Sequence, residues 1–173
     1  MGARSTNSIQ AFFDDFYRSG TDAATPAPGL VSGPITATGG DSTLTITGYK
    51  VHIFTTTGAS TFVVSSGGGE VEYLVVAGGG SGSAQYGGGG GAGGFRTNLS
   101  GHPRAGDPVN VQPGTTNVTV GAGGQYATPP AMPGVNGANS SIDPNNPETG
   151  TITATGGGGG DAPGQEPNPW GSS

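Results

Sequence analysis

The stretch that decides the fold is VEYLVVAGGGSGSAQYGGGGGAGGFRT, residues 71–97, in which a strand-like segment turns almost entirely into glycine. Glycine loses more conformational freedom on folding than any other residue, so this run is either disordered or held by something other than side chains. The preceding segment EVEYLVVA (70–77) ends in the continuously apolar Leu74, Val75 and Val76, which predicts that this end is covered on both sides. Because the glycine run leaves from a buried end, we expect its first residues to be ordered.

Composition limits what the chain can build and bind. Its 173 residues include 38 glycines, 14 prolines and no cysteine, and its formal net charge is −6. Only 9% of the residues are charged, far fewer than charge-driven disorder needs, and the 31% that are hydrophobic are clustered and suffice for a small core. With one lysine and four arginines there is no basic stripe, so we expect no nucleic-acid partner. The missing cysteines exclude disulfides, thiolate metal sites and thiol nucleophiles.

The two ends of the chain give expectations about its origin. MGARSTNSIQAFFDDF lacks the apolar core of a signal peptide, and no apolar run approaches the roughly 20 residues of a membrane span. We therefore expect a protein made in the cytoplasm without a signal peptide and without membrane insertion. The final PNPWGSS is unlike a natural terminus, which indicates a piece of a longer protein.

Residues 1–20 are the one segment with helical periodicity. Ile9, Phe12, Phe13, Phe16 and Tyr17 recur at spacings of three and four residues and would give a short helix one aromatic face. Such a helix cannot bury that face alone, so it either folds back on its own domain or docks on a partner. Residues 21–34, rich in Pro, Ala and Gly, are typical of a linker.

A β region is predicted over residues 35–77. Its segments STLTIT (42–47), YKVHIFTTT (49–57) and STFVVSS (60–66) are rich in β-branched and aromatic residues, and Thr57-Gly58-Ala59 is expected to be the hairpin turn between the last two. The repeated ITATGG at 35–40 and 152–157 suggests equivalent strands at two sheet edges.

The region 78–173 is predicted to be glycine-rich, with one interleaved strand segment at 108–121 and loops at 98–108 and 126–149. Its runs 78–94, 121–124 and 156–160 suit polyglycine II, a left-handed three-residue helix without internal hydrogen bonds, whose backbone groups are satisfied by neighbouring helices. Three runs are few for such a bundle, so we expect further runs from more chain or other subunits. The predicted fold class is mainly β: a small antiparallel sandwich or meander clamp with polyglycine II helices and a short N-terminal helix.

Several of these segments resemble a known family. GYKVHIFTTTGASTFVVSSGGGEVEYLVVAGGG, followed by GGGGGAGGFRT, VTVGAGG and ITATGGGGG, resembles the glycine-rich domain of bacteriophage tail-fibre and adhesin proteins over about residues 35–160. NSIQAFFDDFYRSG is similar to short segments in structural proteins of marine phages, especially those of cyanobacteria. The resemblance implies a virion component in which a β clamp holds a polyglycine II bundle and the loops between glycine helices contact the host.

This reading assigns roles to residues at both ends of the chain. The partners would be other tail proteins, a host-surface receptor and further copies of the chain, with a trimer as the expected oligomer. Anchoring to the particle is assigned to Phe12, Phe13, Phe16, Tyr17 and Arg18. Possible receptor contacts are Tyr86, Phe95, Arg96, His102, Arg104, Tyr126 and Trp170, because exposed aromatics and arginines are efficient binding anchors. The alternative for Phe95 is to plug the end of the bundle, and for Arg96 to pair with a carboxylate such as Asp107.

No enzyme, cofactor or metal site is predicted. Lys50 lies in GYKVH and not in a phosphate loop, GGGSGS fails the nucleophile-elbow pattern at Ser83, and His52 and His102 each stand alone. Asp14 and Asp15 are adjacent and would point in different directions on a helix. Two alternatives to a tail protein stay open: a head, neck or collar decoration without a receptor, and a filament subunit of a bacterium.

Overall fold

The protein is described by a computed structural model over residues 33–84, 87–103, 105–126, 133–146 and 149–162. Throughout these ranges the fold is mainly β with antiparallel sheets and no helix, which confirms the mainly β, antiparallel part of the predicted class. The predicted N-terminal helix and linker lie outside the described residues, apart from Gly33 and Pro34, which belong to the first strand. Within the same ranges no helix is long and apolar enough to cross a membrane.

Ten strands make up this part of the chain. They are β1 (Gly33–Gly39), β2 (Ser42–Ile46), β3 (Tyr49–Ile53), β4 (Gly58–Val71), β5 (Leu74–Val76), β6 (Phe95–Thr97), β7 (Val109–Val111), β8 (Gly114–Val120), β9 (Ser140–Asp143) and β10 (Ile152–Ala154).

The principal sheet has the order β1-β4-β8-β9-β10, with every neighbouring pair antiparallel. The long strand β4 joins its parts, since it pairs with β1 on one side, with β8 on the other, and with β7 through its last three residues. The two copies of ITATGG lie in β1 and β10, the two edges of this sheet, as the repeat predicted.

A small core lies against this sheet. Its largest fully buried apolar side chains are Val64 from β4 and Val109 and Val111 from β7, and Tyr73 and Val75 pack with them. The alternating pattern of β7, with Asn110 exposed between the two valines, is what a strand covered on one face requires. Most of the buried apolar residues thus belong to one cluster.

The turn predicted at Thr57-Gly58-Ala59 is wrong. The strand β3 pairs with β2 across Thr47 and Gly48, and β4 begins at Gly58 without pairing to β3. From Phe62 onward β4 pairs with β1, and its first residues from Gly58 pair with β8, while every ladder bond of β3 goes to β2.

The continuous strand predicted at 70–77 is also corrected. It is broken between β4 and β5, and Leu74 and Val76 are 65% and 57% exposed while Val75 is buried. Among the described residues, the three-residue β5 pairs only with β6, and of its three side chains only Val75 belongs to the core. A third difference lies in the predicted loop 126–149, which contains β9 and an ordered extended segment before it.

Five extended glycine-rich runs project from the sheets and bond to one another side by side. Run 1 is 77–84, run 2 is 87–94, run 3 is 121–126, run 4 is 133–139 and run 5 is 155–162. The predicted run 78–94 therefore folds back on itself, and run 4 comes from a segment predicted to be a loop.

Candidate functional site

Run 1 lies at the centre of the glycine bundle. Its backbone bonds to all four other runs, for example through Gly80 N–H to Gly91 O at 2.9 Å in run 2 and through Gly157 N–H to Gly78 O at 2.9 Å in run 5. Runs 2 and 5, 5 and 4, and 4 and 3 are also bonded to one another. Four neighbours thus surround the central run in an unbroken arc.

The lateral bonds recur every three residues. From run 1 the N–H groups of Ala77, Gly80 and Ser83 donate to carbonyls of run 2 at 2.9, 2.9 and 3.0 Å. From run 2 Gly88, Gly91 and Gly94 donate to run 5 at 2.9, 2.7 and 2.8 Å. A period of three means that each run presents successive residues to three directions, as chains in a side-by-side packing must do.

Steric contacts follow the same period. A Cβ atom built on Gly90 or Gly93 would fall closer than 3.0 Å to carbonyl oxygens of run 1, whereas one built on Gly89 meets nothing within 4 Å. Ala92 occupies the position three residues after Gly89, where a methyl group is tolerated. Glycine is therefore required where a run faces another backbone and is optional where it faces outward.

Side chains from run 4 add bonds of their own to run 5. Asn136 Oδ1 accepts from Gly159 N–H at 2.7 Å, and Asn139 Oδ1 accepts from Gly156 N–H at 2.9 Å. The two asparagines are again three residues apart. Polar side chains in this run thus replace backbone carbonyls as acceptors.

All runs have one end at the sheets and the other end at a common tip. Run 1 continues from β5, run 2 leads into β6, run 3 continues from β8, run 4 leads into β9 and run 5 continues from β10. The last residues of runs 1 and 3 and the first residues of runs 2 and 4 consequently lie at the far end, which we call the tip. Extended backbone rises about 3.1–3.3 Å per residue, so the eight residues of run 1 place the tip roughly 22–26 Å from the sheets.

Of the predicted receptor contacts, the structure describes one near the tip. Tyr126 ends run 3 and is 80% exposed. Tyr86 belongs to the connection between runs 1 and 2, and it lies outside the described residues, as do Arg104 and Trp170. The anchoring residues Phe12, Phe13, Phe16, Tyr17 and Arg18 lie outside them as well.

The other three predicted contacts lie at the opposite end, beside β5 and β6. The ring of Phe95 meets the ring of His102 edge to face at 5.3 Å between centroids and 78° between planes. Arg96 is exposed, and its Nη1 donates to Phe95 O at 3.4 Å. No ion pair joins Arg96 to Asp107, although both are among the described residues. Of the four described candidates, Tyr126 is therefore separated from Phe95, Arg96 and His102 by the length of the bundle.

Sequence reasoning missed the apolar side chains around Phe95. Leu74, Val76 and Leu99 are 65%, 57% and 51% exposed, and with Phe95 they form what we call the basal patch. The register places Val76 opposite Phe95, and alternation about the buried Val75 was the signal that would have found them.

Beneath the basal patch, the junction between β4 and β5 is held by polar contacts. Asn98 Oδ1 accepts from Tyr73 N–H at 2.9 Å, and its Nδ2 donates to Val71 O at 2.8 Å. Burial, together with the nearby negative charge of Asp107, raises the pKa of Tyr73, and Arg96 acts in the opposite direction. The described residues contain no group of three or more His, Cys, Asp or Glu side chains that could hold a metal ion.

Comparison with known proteins gives one match. Residues 55–173 fit the model of the family described as a glycine-rich domain. No curated protein and no solved structure matches the chain. Because the family model covers more than half of the 173 residues, including runs 1 to 5 and the strands β5 to β10, the chain belongs to the glycine-rich domain family.

Proposed function

We propose that this protein is a non-enzymatic structural component of a virion, in the tail fibre or at the tail tip, which presents loops on a glycine bundle toward the host surface. The observation that carries the proposal is that all five runs have one end at the sheets and the other end at the tip. Each has one end at a strand, so the connections at the tip can differ in sequence and length without disturbing the sheets.

The five runs are, in this proposal, polyglycine II helices. Support comes from the three-residue period of the lateral hydrogen bonds and from the matching period of the close contacts at Gly90 and Gly93. A rod of this kind holds its loops at a fixed distance from the sheets. The resemblance to phage tail-fibre and adhesin domains supports the same function.

The tip is the preferred receptor-binding end. Tyr126 there is 80% exposed and has a rigid ring able to contribute a large contact area at low entropic cost. The basal patch is the second candidate, because Leu74, Val76 and Phe95 are large apolar side chains exposed on one face of the β5–β6 ladder.

The alternatives place the same fold elsewhere. A head, neck or collar decoration would use the bundle only as architecture, and a bacterial filament subunit would be found outside virions. Immunogold electron microscopy of purified particles, with antibody against residues 126–149, separates these three. Label at the tail supports the proposal, label at the head or neck supports the decoration protein, and unlabelled particles favour the filament.

Adsorption assays then distinguish the two ends of the bundle. We expect Tyr126→Ala to slow adsorption without unfolding and Phe95→Ala to leave it unchanged. Arg104→Ala and Trp170→Ala should also slow adsorption, but both residues lie outside the described ranges, so these two variants do not report on which end binds. The opposite pattern would move binding to the basal patch. Unchanged adsorption in all four variants would contradict receptor binding by this chain, and normal particle copy number in Phe16→Ala would contradict anchoring by the N-terminal segment.

A further inference from the structure

The hairpin formed by β2 and β3 has one face that is apolar except for Ser42, which pairs with Ile53. Its register pairs Leu44 with Val51 and Ile46 with Tyr49, and directly paired residues share a face of an antiparallel ladder. With Ile53, these residues form what we call the hairpin apolar face: Leu44, Ile46, Tyr49, Val51 and Ile53. The opposite face carries Thr43, Thr45, Lys50 and His52.

The polar face is the one turned toward the principal sheet. His52 contacts Phe62 of β4 edge to face with 5.0 Å between ring centroids, and its Nδ1 lies 2.7 Å from Gly39 O. Lys50 Nζ donates to Ala37 O at 3.3 Å. The hairpin is therefore inverted relative to an ordinary half-buried sheet, in which the apolar face packs on the core.

Contacts at the open end of the hairpin keep it in this orientation. The carboxylate of Asp41 accepts hydrogen bonds from the backbone and hydroxyl groups of Thr55 and Thr56, and Asp41 N–H donates to Ile53 O at 2.7 Å. Since the hairpin is tied at its base and through its polar face, it does not turn its apolar face inward.

The apolar face is consequently exposed. Its five side chains are 36% to 56% accessible, which leaves roughly 400 Å² of contiguous apolar surface, a size typical of interaction sites on soluble proteins. An isolated two-stranded hairpin is marginal in water, and this one gains no apolar burial from its own chain.

We propose that this face binds the same face of a second copy of the chain. The face carries no charged side chain although the whole chain has a net charge of −6, so two copies can meet here without like-charge repulsion. A two-fold contact brings the same residues of two copies together, so an uncharged, largely apolar face can serve both partners.

The area predicts how strong this contact is. Two faces packed together bury about 800 Å² in total, below the roughly 1,200 Å² at which standard-sized stable interfaces begin. The contact alone therefore gives reversible, concentration-dependent association. This inference does not depend on the proposed function, because it concerns the surface of the purified protein.

Sedimentation equilibrium of the full-length chain tests the proposal with a matched pair of variants. Leu44→Glu places a charge on the apolar face and should weaken self-association at least tenfold. Thr45→Glu adds the same charge to the neighbouring residue on the opposite face, across from Lys50, and should leave the association constant within twofold of the wild type. Leu44 is already 54% exposed, so its replacement removes no core packing; unchanged circular dichroism checks this.

A second measurement uses the absence of native cysteines. Under mild oxidation Leu44→Cys should form disulfide-linked dimers at least tenfold faster than Thr45→Cys. A monomeric wild type from about 1 to 500 μM, equal behaviour of the two glutamate variants, or equal cross-linking of the two cysteine variants would overturn the proposal. So would loss of association in a full-length Phe13→Ser/Phe16→Ser variant, since the occupant would then be the aromatic N-terminal segment.

Discussion

Two adjacent glycines of run 2 give the sharpest test of the bundle. At Gly90 an added Cβ would lie closer than 3.0 Å to Gly80 O, which is backbone and cannot rotate away, whereas at Gly89 it would meet nothing within 4 Å. Neither residue has a positive φ, so alanine is compatible with the local backbone at both positions. The same substitution at neighbouring positions therefore isolates the steric contact between runs 1 and 2.

The magnitude follows from the bonds around Gly90. Separating the runs enough to admit a methyl group weakens the bonds from Gly80 N–H to Gly91 O at 2.9 Å and from Gly91 N–H to Gly158 O at 2.7 Å. At about 0.5–1.5 kcal/mol for each bond, with overpacking strain of about 1–3 kcal/mol as an independent guide, Gly90→Ala should lower the free energy of unfolding by about 2–3 kcal/mol.

Gly89→Ala should instead raise the free energy of unfolding by about 0.4–1 kcal/mol, since alanine restricts the unfolded chain. Differential scanning calorimetry measures both, and Gly90→Ala should lower the Tm by roughly 5–10 °C in a chain of this size. Equal Tm values for the two variants would refute the conclusion that glycine is required where runs face each other.

Three further substitutions test individual polar groups. Thr116→Val should raise the free energy of unfolding by about 1 kcal/mol in urea titration, because the buried Oγ1 of Thr116 has no hydrogen-bond partner among the described residues. The control is Thr115→Val at the exposed neighbouring position, which should change the free energy of unfolding by less than about 0.5 kcal/mol. Backbone donors hold the pKa of Asp41 at about 2, below its usual 3.8, so its contribution to stability is present above pH 3.8 and is lost as the pH falls through 2. Asp41→Asn should abolish this acid dependence of the Tm, and an unchanged profile would exclude the Asp41 contacts as its source. Burial raises the pKa of Tyr73 above 10.0, so its contribution to the free energy of unfolding should be fully present below pH 10.0 and be lost as the pH rises through the raised pKa. Tyr73→Phe should therefore flatten the fall of the Tm at alkaline pH in calorimetric scans.

The strands were predicted well where residue types favour them and poorly where contacts between distant segments decide the pairing. Enrichment in β-branched and aromatic residues located β2, β3 and most of β4, and the repeated ITATGG predicted strands at both edges of the sheet. The turn after Thr57 was misplaced because the pairing of β4 with β1 and β8 is a property of the whole sheet, which local turn chemistry does not contain.

The candidate site was only partly predictable for a similar reason. The glycine runs were recognised from composition, yet run 4 was not, because PGVNGAN mixes its glycines with residues that point outward or bond through Asn136 and Asn139. Phe95 and Tyr126 were singled out together by residue type. They lie at opposite ends of the bundle because run 2 returns to the sheets at Phe95 whereas run 3 leaves the sheets and ends at Tyr126. The inverted hairpin could not be foreseen, since alternation defines two faces without saying which one packs inward.

The side-by-side bonding of the glycine runs also determines how stability varies with temperature. Unfolding such a bundle hydrates mostly peptide groups, and exposed polar surface lowers the heat capacity whereas exposed hydrocarbon raises it. The heat-capacity change per residue therefore falls below the roughly 12–15 cal/mol/K of ordinary globular domains. The curve of the free energy of unfolding against temperature is correspondingly broad and flat. The bundle therefore loses less stability on cooling or warming than a domain held together by a hydrophobic core.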